Sequence, residues 1–173
     1  MLVGTREPEW QATAYHDGDE TVMKASDCAG RWHVLYFYPL DFTFVCPTEI
    51  NGFERLAGDF AAADIDVIGV STDSYFSHLA WFADDQVFPH GVTHPVLADT
   101  SHAVSKAFSV LKEDQGVAYR ATIIVDDRSI VRSVSINDLG AGRSPAETLR
   151  TAQALMSGGL CPADWQKGDA FAA

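Results

Sequence analysis

Positive charge is scarce in this 173-residue chain: 12 Lys and Arg stand against 24 Asp and Glu, a net charge of −12. The cations are scattered, whereas a phosphate backbone binds them in clusters, so no nucleic-acid partner is expected. Long apolar runs are also lacking. The densest, VLYFYPL, is far short of the roughly 20 residues a spanning helix needs. The start, MLVGTREPEW, has no basic-then-apolar leader pattern. No membrane segment is expected, and the cytoplasm is the expected location. Cysteine is rare, at positions 28, 46 and 161 only. Three thiols leave one over in any intramolecular pairing, which points to chemistry or burial and away from a disulfide scaffold. His90 and His94 have the spacing of zinc ligands, but Pro89, Gly91 and Pro95 preclude a continuous helix between them, and no third ligand is evident. No metal or cofactor is expected.

What is present suits one domain with a substantial core: 47% of residues are hydrophobic and 21% charged. Residues 10–14 and 20–24 read as a hairpin around HDGD. HVLYFY, 33–38, and DIDVIGVST, 64–72, read as buried strands. Between them, Ile50, Phe53, Leu56, Ala57 and Phe60 recur at helical spacing, predicting a helix over 47–63 that Gly52 and Gly58 weaken. A second helix is predicted over 75–85, with Phe76, Leu79, Ala80 and Ala83 on its buried face. PVLAD reads as a short strand or an extended entry to a third helix, 100–108, with Ala103, Val104, Ala107 and Phe108 on one stripe. RATIIV and SIVRSVSI read as paired strands, the second with one wet face. Ser144, Pro145 and Glu147 form a helix start, a cap, a first-turn proline and a capping-box acid, with Leu149, Ala152 and Leu155 buried after it. Paired glycines and missing periodicity suggest that the tail from 157 is mobile or docks late. This alternation predicts an α/β sandwich with a mixed central sheet.

Cys46 lies where a strand ends and a helix begins, with Pro47 next. That spacing predicts Cys46 at the helix N-cap, facing free N–H groups and the positive end of the dipole. Such sites favour thiolate over thiol, with a pKa of roughly 6 in favourable cases. Ionisation alone does not make a fast reaction, because a fully ionised thiol of still lower pKa is a poorer nucleophile. Donors that stabilise the transition state are needed as well.

PLDFTFVC places Pro39, Thr43 and Cys46 in a Pro-x-x-x-Thr-x-x-Cys pattern, and GVSTDS, HLAWF, GVAYRATIIVD, GRSPAETLR and CPADWQKGD follow in order. With these motifs the chain resembles the peroxiredoxins from Gly30 to Asp169. The likeness is to the typical 2-Cys group, especially the peroxidase subunit of alkyl hydroperoxide reductase. The first 30 residues match loosely. The resemblance implies a thioredoxin-like fold and a peroxidase that needs neither metal nor haem nor flavin. It divides the chain into a peroxidase domain, 1–156, and a tail, 157–173, carrying a resolving cysteine.

The resemblance also implies roles. Cys46 is the attacking thiolate. Thr43 bonds the sulfur and the peroxide, Pro39 shields the pocket, and Arg120 fixes the sulfur and polarises the O–O bond. Glu49 and Arg143 orient that arginine. A carboxylate three residues from a thiolate would oppose its ionisation, so Glu49 is expected to pair with Arg120 or Arg143. Cys161 is the resolving cysteine, reaching Cys46 of a partner subunit after local unwinding of the helix turn. Hydrogen peroxide and organic hydroperoxides are the implied substrates. A dithiol protein, thioredoxin-like or a dedicated disulfide reductase, is the implied reductant. A homodimer, five of which often close a ring, is the implied assembly. Trp81 and Trp165 match family tryptophans. Cys28 has no motif around it and reads as a bystander thiol. Gly-Gly-Leu-Gly is absent between Phe108 and Arg120, and there is no terminal Tyr-Phe helix, so resistance to sulfinic-acid formation is expected. A general thiol–disulfide oxidoreductase is the alternative enzyme, opposed by the absence of Cys-x-x-Cys. An oligomeric holdase is the alternative from another class.

Overall fold

Asp17 and Gly18 take positive φ, 50° and 92°, as a tight two-residue hairpin turn requires. In the computed structural model, which describes residues 1–172, that turn joins β1, Gln11–His16, to β2, Asp19–Lys24. The hairpin is the edge of a seven-stranded sheet. Its other strands are β3 (Trp32–Phe37), β4 (Ile65–Ser71), β5 (Val96–Ala98), β8 (Arg120–Val125) and β9 (Val131–Asn137), in the order β2-β1-β5-β4-β3-β8-β9. β4 is parallel to β3 and β5, whereas β8 runs antiparallel to β3 and to β9, so the sheet is mixed as expected. A small separate pair, β6 (Leu111–Lys112) and β7 (Val117–Ala118), was not foreseen.

Alternation along β3 divides the core. Val34 and Tyr36 share one face with Ile50, Phe53, Phe60, Trp81 and Phe82. Leu35 and Phe37 share the other with Trp10, Cys28, Val104 and Phe108. The helices are α1 (Cys46–Arg55), α2 (Ala57–Ala62), α3 (Tyr75–Phe82), α4 (Ala103–Ala107) and α5 (Pro145–Ser157). None of the helices among the described residues is long and apolar enough to cross a membrane.

Several local expectations are corrected. The helix expected over 47–63 breaks at Leu56 (φ −101°, ψ 7°), and after the break Phe53 and Phe60 meet with ring centroids 6.0 Å apart. Gly52, read as a weakness, is a close crossing: a Cβ there would lie 2.7 Å from Cγ of Pro145. The buried face of α3 is not the one expected. His78, Trp81 and Phe82 point inward, and Phe76 is 71% exposed with Leu79 also exposed. His78 is buried because Asp41 satisfies its ring, at 2.8 Å. In α4, Val104 and Phe108 are buried but Ala103 is exposed. Ser144 caps α5 by accepting from the Glu147 N–H at 3.2 Å. The Glu147 carboxylate does not close the capping box; Arg150 takes it at 2.6 Å. Ala152 is buried, whereas Leu155 is exposed.

In the tail, expected to be mobile or docked late, most residues are exposed and Trp165 is the anchor. Trp165 is buried, stacks on Phe171 at 5.8 Å and accepts from Arg150 Nη1 through its carbonyl at 3.0 Å. The Ala172 N–H donates to the Leu160 carbonyl at 2.7 Å, closing the loop.

Burial pushes the Cys28 thiol up to about 12 from 9.0, with Glu7 and Asp66 adding to the effect and Arg31 opposing it. The folded thiol therefore holds its proton more tightly than the unfolded one. The stability this confers is complete below pH 9 and drains away as pH rises towards 12. At pH 10 the loss is about 1.4 kcal/mol, or about 3 °C in Tm for a domain of this size. In reducing buffer, Cys28→Ala is expected to shrink the Tm drop between pH 8 and pH 10 by about that amount. An unchanged drop in calorimetry would contradict the assignment.

Candidate active site

The sulfur of Cys46 lies at the carboxyl side of β3, where the chain turns from the sheet into α1. Val45, at φ −87° and ψ −40°, is the N-cap, and Cys46 is the first helical residue. This corrects the expected N-cap position by one residue. The sulfur still lies in the first turn, where the free N–H groups of the helix concentrate. Cys46 is 0% exposed.

Opposite the sulfur stands Arg120, the first residue of β8, 4% exposed. Its Nη1 donates to the Cys46 sulfur at 3.3 Å and to Glu49 Oε2 at 2.6 Å, and its Nε donates to the Leu139 carbonyl at 2.7 Å. Glu49, one turn beyond Cys46, is also buried. Its second oxygen accepts from both the backbone N–H and Nε of Arg143, each at 2.9 Å. Glu49 thus pairs with both arginines, where one was expected. Arg143 also donates to the carbonyls of Ala121, at 2.6 Å, and Phe37. Gly142 makes this approach possible, since a Cβ there would lie 3.3 Å from Val45 and 3.7 Å from Glu49 Oε1.

Formal charge decides what this cluster favours. Two guanidinium cations face one carboxylate, leaving one positive charge in a buried volume. A Cys46 thiolate cancels it; a neutral thiol does not. Removing charge from water is expensive unless it is paired, so the cluster places an uncompensated cation where negative charge on sulfur or on an attacking oxygen would be offset. The arginine fork also leaves donors beside that sulfur for an oxygen that gains negative charge.

Pro39 and Thr43 are the other two expected neighbours. Pro39 is buried in the segment leaving β3. Thr43 does not bond the sulfur; its hydroxyl donates to the Leu40 carbonyl at 2.9 Å. Phe42, with a left-handed φ of 54°, turns the loop outward and sets its ring 5.6 Å from that of Trp81. Cys161 is half-buried, its sulfur 3.3 Å from Ser157 Oγ and 3.6 Å from the Ala154 carbonyl.

Sequence reasoning missed the groups beneath the loop. The Asp41 carboxylate accepts from Tyr38 Oη at 2.8 Å and Ser77 Oγ at 2.7 Å, besides contacting His78. The Asp41 N–H donates to Asp73 at 2.8 Å. Burial, then the charge of Asp41, push the Asp73 carboxyl above its ordinary value. An aspartate inside the apolar run YFYPLDF was the available signal, because such a residue needs buried partners. Leu139, whose carbonyl holds Arg120, carries no side-chain signal at all. A cavity of about 450 Å³, lined by Cys28, Ala57 and Ile65 among others, contains none of these groups.

A profile described as the AhpC/TSA family matches residues 3–134. Peroxiredoxin-2 of Bos taurus is 46% identical over 174 residues, 96% of this chain and 86% of that one. Among solved structures, a reduced 2-Cys peroxiredoxin of Plasmodium vivax superposes with TM-score 0.93 at 34% identity, covering 98% of this chain and 92% of that one. AhpC of Mycobacterium tuberculosis gives 0.86 at 36% identity, covering 96% and 99%. The mixed sheet and its flanking helices are therefore a thioredoxin-like fold, as expected.

Proposed function

The chain belongs to the AhpC/TSA family of peroxiredoxins and is a thiol-dependent peroxidase, and from that premise we propose that Cys46 is its reacting sulfur, within the 1–156 domain, and Cys161, on the 157–173 tail, its resolving thiol. The observation that carries this reading is the Arg120–Cys46 hydrogen bond inside a cluster with one surplus positive charge. The Cys46 thiolate attacks the terminal oxygen of hydrogen peroxide or an organic hydroperoxide. An S–O bond forms, the O–O bond breaks, and the departing oxygen leaves as water or alcohol after taking a proton. Arg120 polarises that bond. Glu49 and Arg143 hold Arg120 in place, and Pro39 keeps solvent from the sulfur. Thr43 joins the sulfur by exchanging its bond to Leu40.

The Cys46 sulfenic acid then condenses with the Cys161 thiol of a partner subunit, giving a disulfide and water. Because the sulfur is enclosed, the first turn of α1 unwinds to deliver it. A dithiol protein, thioredoxin-like or a dedicated disulfide reductase, reopens the bond. The working unit is a homodimer, and five dimers close a ring. Support for assembly comes from apolar surface: Phe44 is 95% exposed and Phe42 is also exposed in the loop before Cys46, Phe76 is exposed on α3, and Ile136 is exposed on the edge strand β9. The proposed setting is the cytoplasm, where thiols stay reduced. The comparisons favour neither a general thiol–disulfide oxidoreductase nor a holdase.

Cys161→Ser tests the reading. One equivalent of peroxide is expected to convert its Cys46 to sulfenic acid, seen by mass spectrometry. Turnover then stalls until a small thiol is added, and non-reducing gels show no crosslinked dimer. Undiminished turnover with a dithiol donor would remove Cys161 from the cycle.

A further inference from the structure

A second buried polar chain begins at Tyr36, which touches the active-site cluster from behind. Its hydroxyl lies 2.7 Å from His94 Nε2, and His94 Nδ1 lies 2.7 Å from Glu54 Oε2. Glu54 also accepts from the N–H and hydroxyl of Thr93, at 3.1 and 2.6 Å. Burial would raise the Glu54 carboxyl, but the hydrogen bonds from His94 and Thr93 outweigh it and hold the group down to about 2. Burial pushes the Tyr36 phenol well above its ordinary range. The chain is thus a fixed carboxylate, an imidazole and a fixed phenol. His94, paired with His90 by sequence spacing alone, spends both ring nitrogens here.

A phenylalanine would fill the ring volume of Tyr36 without these partners. The hydroxyl needs special room: a Cβ on Gly69 would lie 2.8 Å from it. What the arrangement fixes is the ring. Tyr36 stacks on Phe53 at 4.2 Å, and the Arg143 guanidinium carbon lies over its ring, 5.5 Å from the centroid. A cation over an aromatic ring is attracted to it, more strongly when both are desolvated. Arg143 grips Glu49, Glu49 grips Arg120, and Arg120 meets the sulfur.

We propose that Tyr36, its ring locked by His94 and Glu54, is a positioning residue for peroxide reduction that seats Arg143 and, through Glu49, aligns Arg120 with the Cys46 sulfur. The proposal rests on Cys46 being the peroxide-reactive thiol. It acts on the geometry around the O–O bond and not on access to sulfur, which separates it from a role in folding alone.

The test compares two rates on each reduced protein: oxidation of Cys46 by hydrogen peroxide, by rapid-mixing fluorescence, and its alkylation by iodoacetamide, by mass spectrometry. Tyr36→Leu is expected to slow oxidation by about 5- to 10-fold, the worth of a desolvated cation–ring contact. Tyr36→Phe, which keeps the ring, recovers most of that and stays within about threefold of the parent. His94→Leu, which removes the partner of the Tyr36 hydroxyl and leaves the ring in place, slows oxidation by about threefold. Alkylation stays at the parent rate in all three. Oxidation within experimental error of the parent in Tyr36→Leu and His94→Leu overturns the proposal. So does alkylation rising in these variants, because that reports a loosened enclosure. A parent protein whose Cys46 ignores peroxide overturns the peroxidase reading instead.

Discussion

Cys46→Ser is expected to reduce peroxide consumption to the background of the buffer. The serine hydroxyl is nearly isosteric with the thiol and can accept the Arg120 bond, so the fold should survive. Its oxygen remains protonated at neutral pH and cannot be oxidised to a sulfenic acid, so both the nucleophile and the first intermediate are lost. Three readouts should agree: no peroxide-dependent turnover with a dithiol donor, no mass increase at residue 46, and no crosslinked dimer on non-reducing gels. Persistent turnover would move the chemistry to another residue. Cys28 is then the remaining thiol besides Cys161, and burial holds it protonated, up to about 12, which makes it a poor substitute.

The next largest effect belongs to Arg120. Arg120→Met keeps much of the side-chain volume and removes three donor bonds: to the sulfur at 3.3 Å, to Glu49 at 2.6 Å and to the Leu139 carbonyl at 2.7 Å. The surplus positive charge disappears with it, since Glu49 and Arg143 then cancel. The second-order rate with hydrogen peroxide is expected to fall by about 10²- to 10³-fold, the range for loss of one preorganised donor at a developing negative charge. Stability should suffer less, by about 2 kcal/mol, because Arg143 still pairs Glu49. Arg120→Lys restores the charge without the rigid fork and should recover only part of the rate. A rate for the methionine variant within threefold of the parent would show that the guanidinium is a structural ion, not part of the chemistry.

How much of this was legible in the chain differs from element to element. The hairpin around Asp17–Gly18, the two buried parallel strands and the Ser144–Pro145 helix start were readable because each depends on a few neighbouring residues: positive φ, β-branched runs, a cap. The face of α3 was misread because hydrophobicity ranks Phe76 and Leu79 above His78. Once Asp41 satisfies its ring, burying the histidine costs little. The break at Leu56 has no strong local marker. It follows from seating Phe53 and Phe60 in one core. The tail read as mobile or docked late because its glycines and polar residues lack period; the Trp165 carbonyl ties it to Arg150 of α5, and Phe171 stacks on Trp165.

By itself the sequence determined an α/β class with a mixed sheet, the position of Cys46 between strand and helix, and the need to neutralise Glu49 if that sulfur is to ionise; the thioredoxin-like class came from the resemblance of its motifs. The first three are consequences of local spacing and of the charge a thiolate carries. Tertiary structure alone decided that Glu49 serves both arginines at once, that the Leu139 carbonyl holds Arg120, and that Tyr36 reaches Arg143 while His94 and Glu54 hold its hydroxyl. Those contacts join residues from 19 positions apart, Arg120 and Leu139, to 107, Tyr36 and Arg143. No period or propensity encodes such pairs; they exist only where the packed sheet and helices bring opposite charges out of water together.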